Sequence, residues 1–505
     1  MSANSEKPCA YFPGLVDVCE GEDGQLVFLC VKDGVVSVKE TITIDGVLCC
    51  PPPREKLPFT LPRLSEVLRH YEQDDPNLYH DVICYLKRFS ALDDLQWAVV
   101  AHFVFLTYLH DHQDIDYCPY LLFYAVPERG KSRTGKSVVY ITFRGLHVVE
   151  LREAVLFRYS DNIHGTLFLD IMDVSKKAEQ SGCNDLLLYR AEKGSKSVRI
   201  QYPDKGPFHD TTYYDNYGPT IIASNEQIHK ILNTRCLPID MPNIPGDYDN
   251  PRPEYGLELK ERLVALRAKH LFSPLPFVAS VNGISGRLWD ITKPMLQVNA
   301  LVHPDGREQL LKAILDISEK RTESNQDTTE GRLVQAIKEL ADEGGFDKYA
   351  KWNIKTYDIR SKYYEHRPDD KHFPVSWFAK KLISMSIRHR TVNGRSEMLF
   401  TSEEYERLLE QYGFAGRGTT QENPPPTFPL PLKDDSYQQL MPQVGDGRGK
   451  QGVSGKTSTF NNVEERNIYF EQLRVKLKEG MERIDAEKAA WDSVLQWRNE
   501  HDLPF

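Results

Sequence analysis

Two overlapping stretches of this chain have the residues and the spacing of a phosphate-binding loop. The apolar run at 120–125 (YLLFYA) leads straight into VPERGKSRTGKS at 126–137. A loop of the form [A/G]-x-x-x-x-G-K-[S/T] turns backbone N–H groups toward phosphate oxygens. Its lysine reaches the β and γ phosphates, and its hydroxyl binds Mg²⁺. One register uses Ala125, Pro127, Gly130, Lys131 and Ser132; the other uses Gly130, Gly135, Lys136 and Ser137. The first starts where the strand ends and lets a helix run over 131–144, at the cost of one internal glycine, about 1 kcal/mol. The second leaves residues 126–129 idle and shortens that helix. The first is favoured.

A metal held beside such a loop needs a carboxylate at the end of a neighbouring strand, and TLFLD at 166–170 supplies Asp170. Many ATPases place a Glu directly after that Asp to polarise the attacking water; here the residue is Ile171. Asp173 is either that base or the N-cap of the following helix. The run at 218–225 ends in Asn225, suited to sensing a terminal phosphate and orienting water. Arg235, just ahead of another apolar run, suits an arginine reaching a neighbouring subunit's phosphate, and otherwise a surface ion pair.

These residues need elements to hold them. Strand and helix patterns alternate from residue 120 to about 242, the signature of an α/β fold with a parallel sheet. Residues 1–60 read as a small β-rich region with turns at Asp33-Gly34 and Asp45-Gly46. Residues 61–117 form a helical lead-in, 118–250 the α/β core and 251–328 a helical connection. Residues 329–415 read as three helices and two short strands around Asn393-Gly394. A linker rich in Pro and Gly (416–460) and a charged helical tail (461–505), suited to binding protein, complete the chain.

The 505 residues carry 63 Lys+Arg against 73 Asp+Glu, a net charge of −10, with 40% hydrophobic residues. Wholesale disorder and a uniformly basic nucleic-acid coat are excluded, although a local basic groove is not. The run at 95–109 is interrupted by His102 and is shorter than the roughly 20 residues of a membrane span, so no membrane is expected. Nine cysteines without a CxxC pair point to neither a zinc ribbon nor a disulfide framework. The opening residues lack the pattern of a secretory signal, so a reduced, cytoplasmic protein is expected.

Taken in order, 125–132, 167–170, a basic insertion, 221–225 and Arg235 resemble the core of superfamily-3-type AAA+ ATPases. These are replicative helicases of viruses, plasmids and integrated mobile elements. LTYLHD at 106–111 with CPYLL at 118–122 resembles the lead-in of phage and bacterial mobile-element ATPases, as do EAVLFR at 153–158 and residues 220–225. The resemblance spans roughly 95–242. It implies an AAA+-like P-loop core, ATP and Mg²⁺ as cofactors, and Ser132 and Asp170 toward the metal. It also implies a homo-oligomeric ring, usually a hexamer, with a central hairpin gripping single-stranded DNA. Ile171 departs from the family pattern, and no primase-like pattern precedes the core, so a separate primase is expected.

Lys193, Lys196, Arg199 and Lys205 cluster around Gly194 in that insertion and are the candidate backbone-tracking residues, unless they form a solvated surface hairpin. The 329–415 unit resembles a winged helix. Lys380 and Lys381 lie on the polar side of its last helix, and Arg388, Arg390 and Arg395 in a basic turn. Such modules bind duplex DNA or dock proteins. The resulting reading is an ATP-dependent, helicase-like DNA motor, 3′-to-5′ by family analogy. Its alternative is a nucleotide-switched DNA-binding initiator with little turnover, which Ile171 keeps open. A third is an ATP-binding adaptor that docks only proteins.

Overall fold

Successive side chains of a strand point to opposite faces, so an unbroken apolar run such as 120–123 requires cover on both sides. A computed structural model describes residues 6–414 except 33, 207–208, 227, 245, 345–350, 366–370 and 393, together with Ser493. Tyr120–Tyr124 (β1) joins Leu146–Val148 (β2), Leu167–Asp170 (β3), Thr220–Ser224 (β4) and Cys236–Asp240 (β5) in one five-stranded sheet. The order across it is β5-β1-β4-β3-β2, and all neighbours are parallel. The chain is therefore a mixed α/β protein built on a parallel sheet.

Leu121 and Phe123 face one hydrophobic core, and Tyr120 and Leu122 face another. The first core is closed by Asp94–Leu109 (α1), Lys131–Ile141 (α2), Leu257–His270 (α3) and the helices Gly286–Val302 and Arg307–Gln326. The second is closed by Glu153–Ile163, Val174–Gln180 and Asn184–Tyr189 through residues such as Phe157, Val174 and Leu187. Residues 257–326, read from sequence as a connection, thus belong to the cover of the sheet.

Every residue of α1 from Trp97 to Leu109 is buried. Its start is set by a capping box: Gln96 N–H donates to Asp93 at 2.8 Å, and Asp93 N–H donates to the Gln96 side chain at 3.2 Å. His102 fits inside because both ring nitrogens are paired. Nδ1–H donates to the Ala98 carbonyl at 2.6 Å, and Nε2 accepts from Asn299 at 3.0 Å. Burial pushes its pKa down to about 4, so the ring is neutral. Among the described residues no helix is long and apolar enough to cross a membrane.

The amino-terminal strands Leu15–Glu20, Leu26–Lys32 and Val35–Lys39 form an antiparallel sheet, and Val16, Leu29 and Val31 join the first core. Asp45 and Gly46 both take left-handed backbone conformations (φ 48° and 79°) between the paired strands Ile42–Ile44 and Val47–Cys50. Two buried ion pairs dock this region. Arg267 of α3 holds both oxygens of Asp111 at 2.6 and 2.7 Å and donates to the carbonyls of Leu15, Val16 and Tyr108. Arg144, ahead of β2, donates to Asp17 at 2.8 Å and to the carbonyls of Ala10 and Ile163. Burial alone would raise the Asp111 carboxyl, but Arg267 overrides it and holds the group well below its ordinary range.

Residues 329–414 form a further unit. Helix Thr329–Gly344 is followed by strand Lys351–Lys355, helices Thr356–Glu365 and Val375–Ser384, strands Arg388–Val392 and Arg395–Thr401, and helix Ser402–Gln411. The strands make an antiparallel sheet with Arg395–Thr401 in the middle, over a core of Leu333, Ile359, Phe378, Leu382 and Met398. Sequence reading missed the first strand and the last helix. The helix had a signal: Thr401 and Glu404 form a reciprocal capping box. The expected linker at 416–460 lies outside the described residues, and so does the expected tail at 461–505 apart from Ser493.

Asp111→Asn should destabilise the protein by about 3–5 kcal/mol, since Arg267 stays buried without a counter-charge. Adding Arg267→Met should recover part of the loss. Urea unfolding followed by circular dichroism reads both, and a cost near zero for Asp111→Asn would contradict the docking role.

Candidate phosphate-binding site

Level parallel strands bring the loops after β1, β3 and β4 to one edge: Tyr124 pairs with Ser224, and Ala223 with Asp170. Leaving β1, the chain takes left-handed conformations at Glu128 and Gly130 (φ 66° and 78°). Bends of this kind gather N–H groups into a concavity. Gly130 is the N-cap of α2, which begins at Lys131. The first-turn N–H groups of a helix lack helical acceptors and sit at the positive end of its dipole, the usual setting for a bound anion.

The Lys131 ammonium is tucked under the loop, donating to the carbonyls of Ala125 and Val126 at 2.8 Å each. Burial lowers its pKa, and Asp170 opposes that shift. The Ser132 hydroxyl donates to one oxygen of Asp170 at 3.0 Å. His147 on β2 donates from Nε2 to the other oxygen at 3.3 Å. The hydrogen bond from His147, with that from Ser132, holds the Asp170 carboxyl below its ordinary range against the opposing effect of burial. Sequence reading missed His147. A polar residue inside LHVV becomes informative only once β2 is known to lie beside β3.

Gly135 lies inside α2, and a Cβ there would fall 2.1 Å from Cζ of Phe168 on β3. The bare backbone admits that ring. Lys136 follows it one residue on, half-buried, and the Ser137 hydroxyl is buried and donates to the Thr134 carbonyl at 2.8 Å. The loop tip therefore carries Lys131 and Ser132, whereas Lys136 and Ser137 sit further along the helix. Two arginines also flank the loop. One guanidinium nitrogen of Arg129 is buried without an acceptor among the described residues, and Arg133 lies over the Tyr248 ring at 4.8 Å.

Asp173 is the N-cap of Val174–Gln180, accepting from Lys176 N–H at 3.2 Å. Ile171 is only 2% exposed, packed into the second core. Asn225 is half-buried just past β4, beside the start of the loop, where Ala125 N–H meets the Ser224 carbonyl at 3.4 Å. Arg235 lies elsewhere. Its carbonyl accepts from Tyr120 N–H at the amino edge of the sheet, about 16 Å from the loop at the usual rise of a strand. It is 7% exposed and folds back to donate to the Ile231 carbonyl at 3.1 Å, so the projecting arginine expected from sequence is not found.

The basic insertion also differs from expectation. It is a hairpin of Lys196–Ile200 and Thr211–Asp215, and Lys193 lies before it. The Lys193 ammonium donates to the carbonyls of Asp111, His112 and Ile115, pinning the lead-in rather than facing outward. Lys196 pairs with Asp215 at 3.0 Å, and Arg199 with Glu153. The exposed surface of the hairpin is largely apolar and aromatic, with Val198, Ile200, Tyr202 and Tyr213, and Lys205 lies over the Tyr202 ring. In the carboxyl-side unit Lys381 pairs with Glu330, Arg388 with Glu404 and Arg390 with Glu397, while Lys380 is exposed.

No family model and no curated protein matches the chain. Solved structures do. The chain is similar to the SCCmec type IV Cch active helicase, with 13% identity over 78% of this chain and 79% of that one and a TM-score of 0.32. It is also similar to the apo C-terminal region of NrS-1, with 11% identity over 76% and 95% and a TM-score of 0.29.

Gly135→Ala should destabilise the fold by about 1–3 kcal/mol through the clash with Phe168, despite alanine's better helix propensity. Thermal unfolding measures this, and Phe168→Leu in the same chain should restore part of the lost stability.

Proposed function

We propose that this chain binds ATP with Mg²⁺ at the 125–132 loop and uses it as a helicase-like DNA motor. The observation that carries the reading is the hydrogen bond from Ser132 to Asp170 at the carboxyl edge of the sheet, beside a lysine at the start of α2. The donor set suits that ligand. Among the described residues no group of three or more His, Cys, Asp or Glu could hold a metal alone. A single carboxylate and a hydroxyl suit Mg²⁺, which is commonly held by one or two carboxylates together with substrate phosphates.

Bound MgATP supplies a hydrolysable phosphoanhydride. In this reading the loop N–H groups and Lys131 hold its phosphates, Ser132 and Asp170 hold the metal, and Asn225 orients water. The reading includes assembly as a homo-oligomeric ring, which rests on the family resemblance; contact with single-stranded DNA is assigned to the hairpin of Lys196, Arg199 and Lys205, with Tyr202 and Tyr213 offering faces on which bases stack. The unit at 329–414, with the order of elements of a winged helix, presents Lys380 as its candidate duplex contact. Burial of Ile171 and the capping role of Asp173 favour a second reading, a nucleotide-switched DNA-binding protein with little turnover.

DNA-stimulated ATP hydrolysis separates the two. Lys131→Ala should lower it by about 10²-fold or more, the scale of losing one charge-stabilising donor, and Lys136→Ala should leave it near wild type. Nucleotide binding without turnover in the wild type would favour the switch, and loss only in Lys136→Ala would overturn the assignment of the loop.

A further inference from the structure

We propose that His147 is a positioning residue, orienting the Asp170 carboxylate for the Mg²⁺ of a bound nucleotide. The inference rests on the reading of Ser132 and Asp170 as the metal-side residues. A carboxylate at a strand end turns easily about its last torsion. Here its two oxygens are divided between two donors on different elements, Ser132 of α2 and His147 of β2. Both anchors are needed to define the plane of the group.

The imidazole is itself held. It stacks on Phe168 with ring centroids 5.0 Å apart and an interplanar angle of 21°. His147 and Phe168 are register partners across β2 and β3, so their side chains share a face. Phe168 in turn lies against the bare backbone of Gly135. A chain of contacts thus runs from α2 through Phe168 and His147 to Asp170 and back to α2 at Ser132. The side chains of His147 and Asp170 are 20% and 22% exposed, open enough for the carboxylate to meet a ligand. With Ile171 buried and Asp173 engaged as a cap, Asp170 has no adjacent acid to share its task. The orientation of this one carboxylate therefore matters more than in a site with two.

Fluorescent ATP-analogue binding to the full chain, titrated with Mg²⁺ and repeated in EDTA, tests the proposal. His147→Ala should raise the Mg²⁺ concentration for half-maximal effect about tenfold or more, the usual loss when a partner of a metal ligand is removed, with affinity in EDTA unchanged. His147→Asn and His147→Gln, which keep an N–H donor, should recover part of the loss. If His147→Ala does not fold, His147→Leu keeps packing against Phe168 without the donor and carries the same expectation. An unchanged Mg²⁺ requirement in a folded variant, or an equal loss with and without Mg²⁺, would overturn the positioning role. A wild type that binds no nucleotide would instead overturn the underlying reading of the site, and the inference with it.

Discussion

Strand direction is the constraint on which the site depends. Because every neighbouring pair in the sheet is parallel, the carboxyl ends of β1, β3 and β4 share one edge. The loop before α2, Asp170 and Asn225 converge there although they are far apart in sequence. Parallel strands need crossovers and cover on both faces. The cover comes from α2 and the crossover helices, but also from helices on either side of the α/β segment. The site is thus supported by elements drawn from the amino-terminal strands through the helix ending at Gln326, and not only by the segment that carries its motifs.

Buried cations hold that cover in place. Arg267 and Arg144 each join an amino-terminal strand to an element packed near the sheet, and each has a carboxylate partner in the same environment. Arg190 is equally buried but bonds neutral groups, donating to Thr220, Ser160 and the Gly165 carbonyl at the amino edge. Burial pushes its pKa down to about 10, and it still remains charged at neutral pH. Such groups are costly to leave unpaired, which gives the docking geometry specificity as well as strength.

The same economy of charge changes the picture of the basic segments. A cluster of lysines and arginines in sequence suggests a cationic surface, but several of these groups are consumed internally. Lys193 caps three carbonyls, Lys196 and Arg199 pair with acids, and Lys381, Arg388 and Arg390 pair within their own unit. What the hairpin offers outward is a mixture of aromatic and aliphatic side chains with fewer free cations than its sequence suggests. That composition suits stacking more than long-range attraction.

The sequence by itself determined the local features. An apolar run ending at a Gly-Lys-Ser sets a strand, a loop and a helix start, because these depend on neighbours along the chain. The structure has Tyr120–Tyr124 and a helix beginning at Lys131, ending at Ile141 rather than at 144. The Asp-Gly turn at 45–46 was legible for the same reason. Tertiary structure alone decided which polar groups meet. Gly135 fits either a helix interior or a second loop register until Phe168 fills the space beside it, His147 carries no signal until β2 pairs with β3, and Arg235 reads as a reaching arm or a surface ion pair until its burial is seen. Each depends on packing between residues distant in the chain, which spacing in one dimension does not encode.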